Sequence, residues 1–356
     1  MAHCGVENDY SAERPKLCYA DGGRYVRVSF ARSPAMEWNQ EMFPGKRGKR
    51  GNCRGFSFGS RRRMLDKLNQ VSVGAVHPDF LTMTLPDDVF VQEMARFGKE
   101  AKSWMRVFLK RLDRACPSAC GFWRIEWVTR KSGLYEGKLF PHFHLLVWGL
   151  PQRDVGLDHD GNMVEESFVP VRDCQLELAA VMERVRQKHE FATRESAKRF
   201  SERVVRSVSV RRDFEERGDV RQWMNLFDWV SLAWYDVVGS SKVKHFLAGV
   251  RVEKIRTWGG VLAYCAKYMS KADSENCVAD VEFGRSWGIF NRSLMPWAKM
   301  VELDLTNEMG NRIRRVARRY LEHRLGRRVQ RHWGITVYCD VARFKRLWAV
   351  LPYVPF

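Results

Sequence analysis

Two phenols and two ammonium groups are spaced to share one side of a helix in the stretch Tyr264-Cys265-Ala266-Lys267-Tyr268-Met269-Ser270-Lys271. Residues three and four apart are neighbours on a helical surface, so Tyr264 and Tyr268 lie on one face with Lys267 and Lys271 close to it. A phenol titrates near pH 10, so it serves as a nucleophile only where a cation or metal favours the phenolate and the substrate tolerates positive charge around it. A DNA phosphate is such a substrate. Aromatic residues at helical spacing also form ordinary core, and this segment alone does not separate the two uses.

A second group of chemical residues stands in Phe140-Pro141-His142-Phe143-His144-Leu145-Leu146-Val147-Trp148. In a strand, residues two apart project from the same face, so His142 and His144 point together and Phe143 packs on the opposite side. Two adjacent imidazoles suit a divalent metal, although two histidines can also simply line a polar surface. Upstream, Phe122 to Thr129 alternates, with Trp123, Ile125 and Trp127 toward a core and Arg124 and Glu126 away from it. Residues 130 to 139, with Gly133 and Gly137, read as the hairpin connection between the two strands. If the pairing is symmetric about Leu134 or Tyr135, Glu126 lies opposite His142 or His144; a slip of one residue removes it. Two imidazoles and a carboxylate leave coordination positions open, which catalysis requires.

The composition limits what these residues act on. A formal net charge of +19 in 356 residues gathers polyanions, with nucleic acid foremost. Hydrophobic and aromatic fractions of 45% and 12% belong to a chain that folds. No run of about 18 apolar residues and no signal-peptide core occur, so no membrane association and a cytoplasmic setting are expected. The nine cysteines include no paired CxxC motif and read as reduced thiols, Cys265 as packing. Cys116 and Cys120 could meet across one helical turn, yet no second pair completes a zinc site. No GxxxxGK[ST] occurs, so no NTPase motor of that type is expected.

Along the chain, residues 1 to about 45 show no periodicity and receive no fold of their own. Lys46 to Arg54 is a basic, glycine-punctuated arm running into a helix from near Ser60, where Arg61, Arg62 and Arg63 are candidate phosphate contacts. Phe80 to Leu85 alternates as a strand, with Leu81, Met83 and Leu85 on the core side and Thr82 and Thr84 on the other. Residues 88 to 114 fit a helix or helix pair packed on that sheet. Leu178 to Val185 suggests a helix and 186 to 220 an exposed helix or arm; Trp223, Phe227, Val230, Trp234 and Val237 outline an amphipathic helix stopped by Gly239. Lys242 to Arg256 contains a strand or sheet edge. Ile313, Val316, Ala317, Tyr320 and Leu321 give a C-terminal helix an apolar face, and Arg312, Arg314, Arg315, Arg318 and Arg319 give it a basic outer face able to hold duplex DNA. Gly334 to Asp340 reads as a last strand.

The ordered set Phe80-Leu81-Thr82-Met83-Thr84-Leu85, Pro141-His142-Phe143-His144 and Tyr264-Cys265-Ala266-Lys267-Tyr268 resembles the three motifs of HUH endonucleases. More narrowly it is similar to two-tyrosine rolling-circle replication initiators of phages and plasmids, with Ser57 to Arg63 and Gly284-Arg285-Ser286-Trp287-Gly288 as flanking features. The resemblance covers about residues 56 to 300. It implies that His142 and His144, with Glu126 as third ligand, hold Mg²⁺ or Mn²⁺. It further implies that Tyr264 and Tyr268 are nucleophiles, and that Lys267 supports the phenolate or the transition state. Such enzymes act on single-stranded DNA at an origin, nick it through a 5′-phosphotyrosine, reseal it without a nucleotide cofactor, and work with a host helicase and polymerase.

The expectation is therefore an α+β fold, a central antiparallel sheet with flanking helices, and through the resemblance an RRM/ferredoxin-like HUH core. Its parts are a basic arm at 1–55, the endonuclease domain at 56–300 with a helical insertion at about 151–240, and a basic helical extension at 301–356. The expected function is that of a site-specific DNA nickase and ligase in a bacterial host cell, with Arg61, Arg62, Arg63 and Lys271 on the DNA. An HUH transposase or relaxase uses the same chemistry; a non-catalytic basic DNA-binding protein is the reading from another class.

Overall fold

Runs in which large apolar side chains alternate with polar ones make strands, and the stretches around Val26, Val252 and Ile335 have that pattern. The computed structural model describes residues 15–29, 56–157, 163–171, 222–240, 242–264, 285–329, 334–342 and 344. Its first elements are strands β1 (Lys16–Asp21) and β2 (Tyr25–Ser29), helix α1 (Phe58–Leu68), strand β3 (Asp79–Met83), helix α2 (Met94–Ala115), and strands β4 (Cys120–Thr129), β5 (Leu139–Trp148), β6 (Gln152–Leu157) and β7 (Met163–Val171). There follow β8 (Gln222–Asn225), α3 (Leu226–Val238), α4 (Val243–Ala248), β9 (Val250–Lys254), α5 (Trp258–Tyr264), β10 (Trp287–Phe290), β11 (Lys299–Asp304), α6 (Asn307–Leu325) and β12 (Gly334–Tyr338). The class is α+β, with antiparallel sheets of five, four and three strands.

The chain divides into two compact units. The larger comprises 52–64 and 76–295 and contains the five-stranded sheet in the order β10-β4-β5-β3-β9, antiparallel throughout. One face of that sheet presents Leu81, Met83, Ile125, Trp127, Phe143, Leu145, Val147 and Val250, all buried in a single apolar cluster. The cluster is completed by Phe97, Ala101, Met105, Phe108 and Leu112 of α2, and by Val230 and Trp234 of α3. These α2 positions recur every three or four residues, which places them along one stripe of the helix. β4 and β5 can lie close only because residue 121 is glycine: a Cβ there would stand 1.9 Å from the Leu146 carbonyl oxygen.

The smaller unit comprises 1–51, 65–75 and 296–356. Its four-stranded sheet has the order β11-β1-β2-β12, so the hairpin of the first thirty residues is flanked on both sides by strands from beyond residue 298. Residues 16 to 29, expected without a fold of their own, are thus the middle of a sheet. α6 packs Ile313 and Ala317 against Leu17, Val26, Val28 and Val337. Thr306 caps α6 by accepting from the Met309 amide at 3.2 Å, and Gly326 ends it in the left-handed conformation.

Within 151–240, the insertion expected to be helical contains the three-stranded sheet β6-β7-β8 ahead of α3. Trp223, expected on the helix, belongs to β8, because Asn225 caps the helix by accepting from the Phe227 amide at 2.9 Å. Gly239 at φ +69° closes α3 as its position predicts. The expected elements between 172 and 221 lie outside the described residues. Cys116 and Cys120 do not share a helical turn: the first follows the end of α2 and the second opens β4. Burial pushes their thiols up to about 12 and about 11, so neither is a thiolate near neutrality. Among the described residues no helix is long and apolar enough to cross a membrane.

One buried histidine gives this fold a pH dependence. His245 of α4 donates from Nε2 to the Thr84 carbonyl oxygen at 2.9 Å, an oxygen that also accepts from Trp234 Nε1 at 2.8 Å. Burial lowers the pKa of His245 from 6.5 to about 4. The unfolded chain therefore binds a proton between those values that the folded chain refuses, and the stability present above pH 6.5 falls as the pH drops toward 4. For a shift of this size the loss is on the order of 3 kcal/mol. Urea unfolding from pH 7 to pH 4.5 is expected to show it, and His245→Gln, which keeps a donor, should flatten the slope; an unchanged slope would refute this assignment.

Candidate active site on the central sheet

Directly paired residues of an antiparallel sheet share a face, and the register here aligns five polar or aromatic residues in one row. Trp287 pairs with Arg124, Arg124 with His144, His144 with Thr82 and Thr82 with Arg251. Glu126 and His142 form the adjoining pair, so the hairpin is symmetric about Leu134. All these residues alternate with Ile125, Phe143, Leu81 and Met83 and so stand on the face opposite the helix-covered core.

His144 is the centre of this face. It is 1% exposed, its ring is stacked on Phe80 with centroids 5.8 Å apart, and both ring nitrogens are engaged. Nε2 lies 3.0 Å from Glu126 Oε2 and Nδ1 lies 3.2 Å from Thr82 Oγ1. One arrangement of protons satisfies all three groups: Nε2–H donates to the carboxylate and the threonine hydroxyl donates to Nδ1. Glu126 reaches its partner diagonally, since its directly paired residue is His142. His142 is half-buried, with its ring centroid 6.4 Å from that of His144 and the planes 71° apart.

Sequence reasoning placed Arg124 and Thr82 on the correct face and assigned neither a task. Arg124 is fully buried, and its guanidinium lies 4.2 Å from the Phe56 ring centroid. Buried charge needs such company. Phe56 thus ties the chain to this face just before α1, whose start is capped by Ser57 Oγ accepting from the Ser60 amide at 3.2 Å. Arg62 and Arg63 are exposed on α1 and Arg61 is half-buried; Arg63 bonds Ser60 Oγ at 3.2 Å. Alternation alone could have singled out Arg124, whereas Thr82 became informative only through its register with His144.

β9 leads into α5, where Thr257 Oγ1 accepts from the Gly260 amide at 3.0 Å. Tyr264 is the last residue of α5. Lys267, Tyr268 and Lys271 lie outside the described residues, as does the side chain of Tyr264.

The donors suit a hard divalent cation in part. Two adjacent ligands of an octahedral cation with bonds near 2.1 Å stand about 3 Å apart, which matches the 3.0 Å between Glu126 Oε2 and His144 Nε2. Glu126 and His144 are therefore together. Among the described residues, though, no three His, Cys, Asp or Glu side chains form one metal-holding group, so His142 shares the face without joining the pair. Comparisons with protein-family models, curated proteins and solved structures find no match.

Replacing Glu126 leaves a buried imidazole N–H without its acceptor, a loss of about 1–3 kcal/mol. Glu126→Ala is expected to lower the urea midpoint correspondingly and to abolish any Mn²⁺-induced rise in melting temperature. A Mn²⁺ response equal in wild type and Glu126→Ala would remove Glu126 from the ligand set.

Proposed function

We propose that this chain is a replication-initiating HUH endonuclease that nicks and rejoins one strand of DNA at an origin. The observation that carries the reading is the hydrogen-bonded Glu126–His144 pair on the middle strand of a five-stranded antiparallel sheet, sharing its face with His142. Two further features support it: the strand β9 leads into a short helix ending at Tyr264, and the whole chain carries +19.

His142, His144 and Glu126 would hold Mg²⁺ or Mn²⁺. When bound, the cation draws negative charge from the scissile phosphate. Thr82 holds the His144 ring at Nδ1, which would leave Nε2, beside Glu126 Oε2, as the nitrogen facing the cation in one orientation. The Tyr264 oxygen attacks phosphorus, the bond from phosphorus to the 3′ oxygen breaks, and that oxygen takes up a proton to become the priming hydroxyl. The new phosphotyrosyl bond keeps the energy of the old phosphodiester, so reversal needs no nucleotide. Tyr268 repeats the cut on newly copied DNA while Tyr264 still holds the first end. Lys267 offsets developing charge, and Arg61, Arg62, Arg63 and Lys271 hold flanking phosphates. A host helicase and polymerase complete the cycle.

Incubation of the full chain with single-stranded DNA containing its replicon's origin and Mn²⁺ is expected to give a covalent protein–DNA adduct on denaturing electrophoresis. Tyr264→Phe with Tyr268→Phe should abolish it. Binding with no adduct on any origin oligonucleotide, or an adduct that survives the double replacement, would sink the proposal.

A further inference from the structure

β4 and β5 continue three residue pairs beyond Glu126 and His142, to Thr129 and Leu139. That is about 10 Å of hairpin at strand rise, and residues 130–138 then turn the chain. The turn is tightly built. Arg130 N–H donates to Lys138 O and Gly137 N–H to Arg130 O, both at 2.9 Å, while Glu136 N–H reaches Gly133 O and Lys138 N–H reaches Tyr135 O, both at 3.1 Å. Gly133 and Gly137 take positive φ values of 96° and 78°, which favour glycine.

Its side chains are anchored as well. The Arg130 guanidinium pairs with Asp87 at 2.7 Å and lies 4.5 Å from the Phe140 ring centroid. Tyr135 stacks on Phe90 with centroids 4.3 Å apart and planes 29° apart. Amid these inward-held neighbours Leu134 is 79% exposed, more than any other large apolar side chain among the described residues. Lys131 and Lys138 are exposed on either side of it. Single exposed leucines are ordinary on protein surfaces. A leucine held out at a fixed apex between two cations, on the hairpin that carries Glu126, His142 and His144, has the form of an apolar wedge that enters a base step while lysines hold the phosphates.

We propose that the 130–138 apex is a strand-separating wedge. Leu134 enters the junction between duplex and single-stranded DNA, and Lys131 and Lys138 hold the backbone on its two sides. The idea rests on the nickase reading above, because it feeds an unpaired strand to the face three residue pairs away. Opening a junction is nevertheless measurable without any cutting.

The test uses the full chain, without metal, on a forked DNA whose last base pair at the fork contains 2-aminopurine. Wild type is expected to raise the fluorescence of that base, and Leu134→Asp, a surface change, to lose the rise while still binding. Lys131→Gln with Lys138→Gln should reduce the slope of log affinity against log salt by about 2. Adduct formation on single-stranded origin DNA should be the same in wild type and Leu134→Asp. Equal fork opening by wild type and Leu134→Asp overturns the wedge, as does binding with no fluorescence change. Leu134-dependent self-association or vesicle binding in place of fork opening overturns it too. Fork opening with no adduct from wild type would instead overturn the nickase reading alone.

Discussion

Everything distinctive about the larger unit hangs on the register of β4 against β5. Ten residues of each strand are paired without a bulge, from Cys120 with Trp148 to Thr129 with Leu139. Because side chains alternate with a period of two, a shift of one residue would carry Arg124 and Glu126 into the apolar core and bring Ile125 and Trp127 out. The apolar cluster against α2 and α3 therefore enforces the polar face it never touches. Hydrophobic burial on one side supplies the free energy, and the placement of Glu126 beside His144 on the other side is its by-product.

At its centre that polar face is not a wet surface. Arg124, Glu126 and His144 are all buried, and burial of a polar group without partners is expensive. Each has company: the Phe56 ring for Arg124, the Glu126 carboxylate and Thr82 hydroxyl for His144. Partners drawn from β3, β4 and β5 make the hydrogen-bonded trio Thr82, His144 and Glu126 rigid, since none of the three can turn without leaving another unsatisfied.

Much of this was legible in the sequence because it depends on short-range patterns. The strands at Leu81, Ile125 and Phe143 and the facing of His142 with His144 follow from alternation, and Gly133 and Gly137 mark the hairpin; whether His142 or His144 lies opposite Glu126 is left open by the sequence and decided by the pairing. What alternation cannot tell is a diagonal reach. Glu126 pairs by backbone with His142 and by side chain with His144, and only coordinates distinguish the two. Long-range pairing was equally hidden. Leu17, Val26 and Val28 lie in two short strands whose sheet is completed only by strands from beyond residue 298, a pairing no local window contains. Trp223 matched a helical stripe by spacing alone, and the Asn225 cap that excludes it from α3 is a single residue easily outweighed by that stripe.

The sheet order β11-β1-β2-β12 also sets a timetable for biosynthesis. A ribosome delivers β1 and β2 long before their neighbours β11 and β12, so Leu17 and Val28 remain without their full sheet while some 270 intervening residues emerge. Every strand of the five-stranded sheet is complete by Phe290, before β11 has been made. The nascent chain can thus assemble its histidine-bearing sheet while the sheet of the smaller unit waits for β11 and β12.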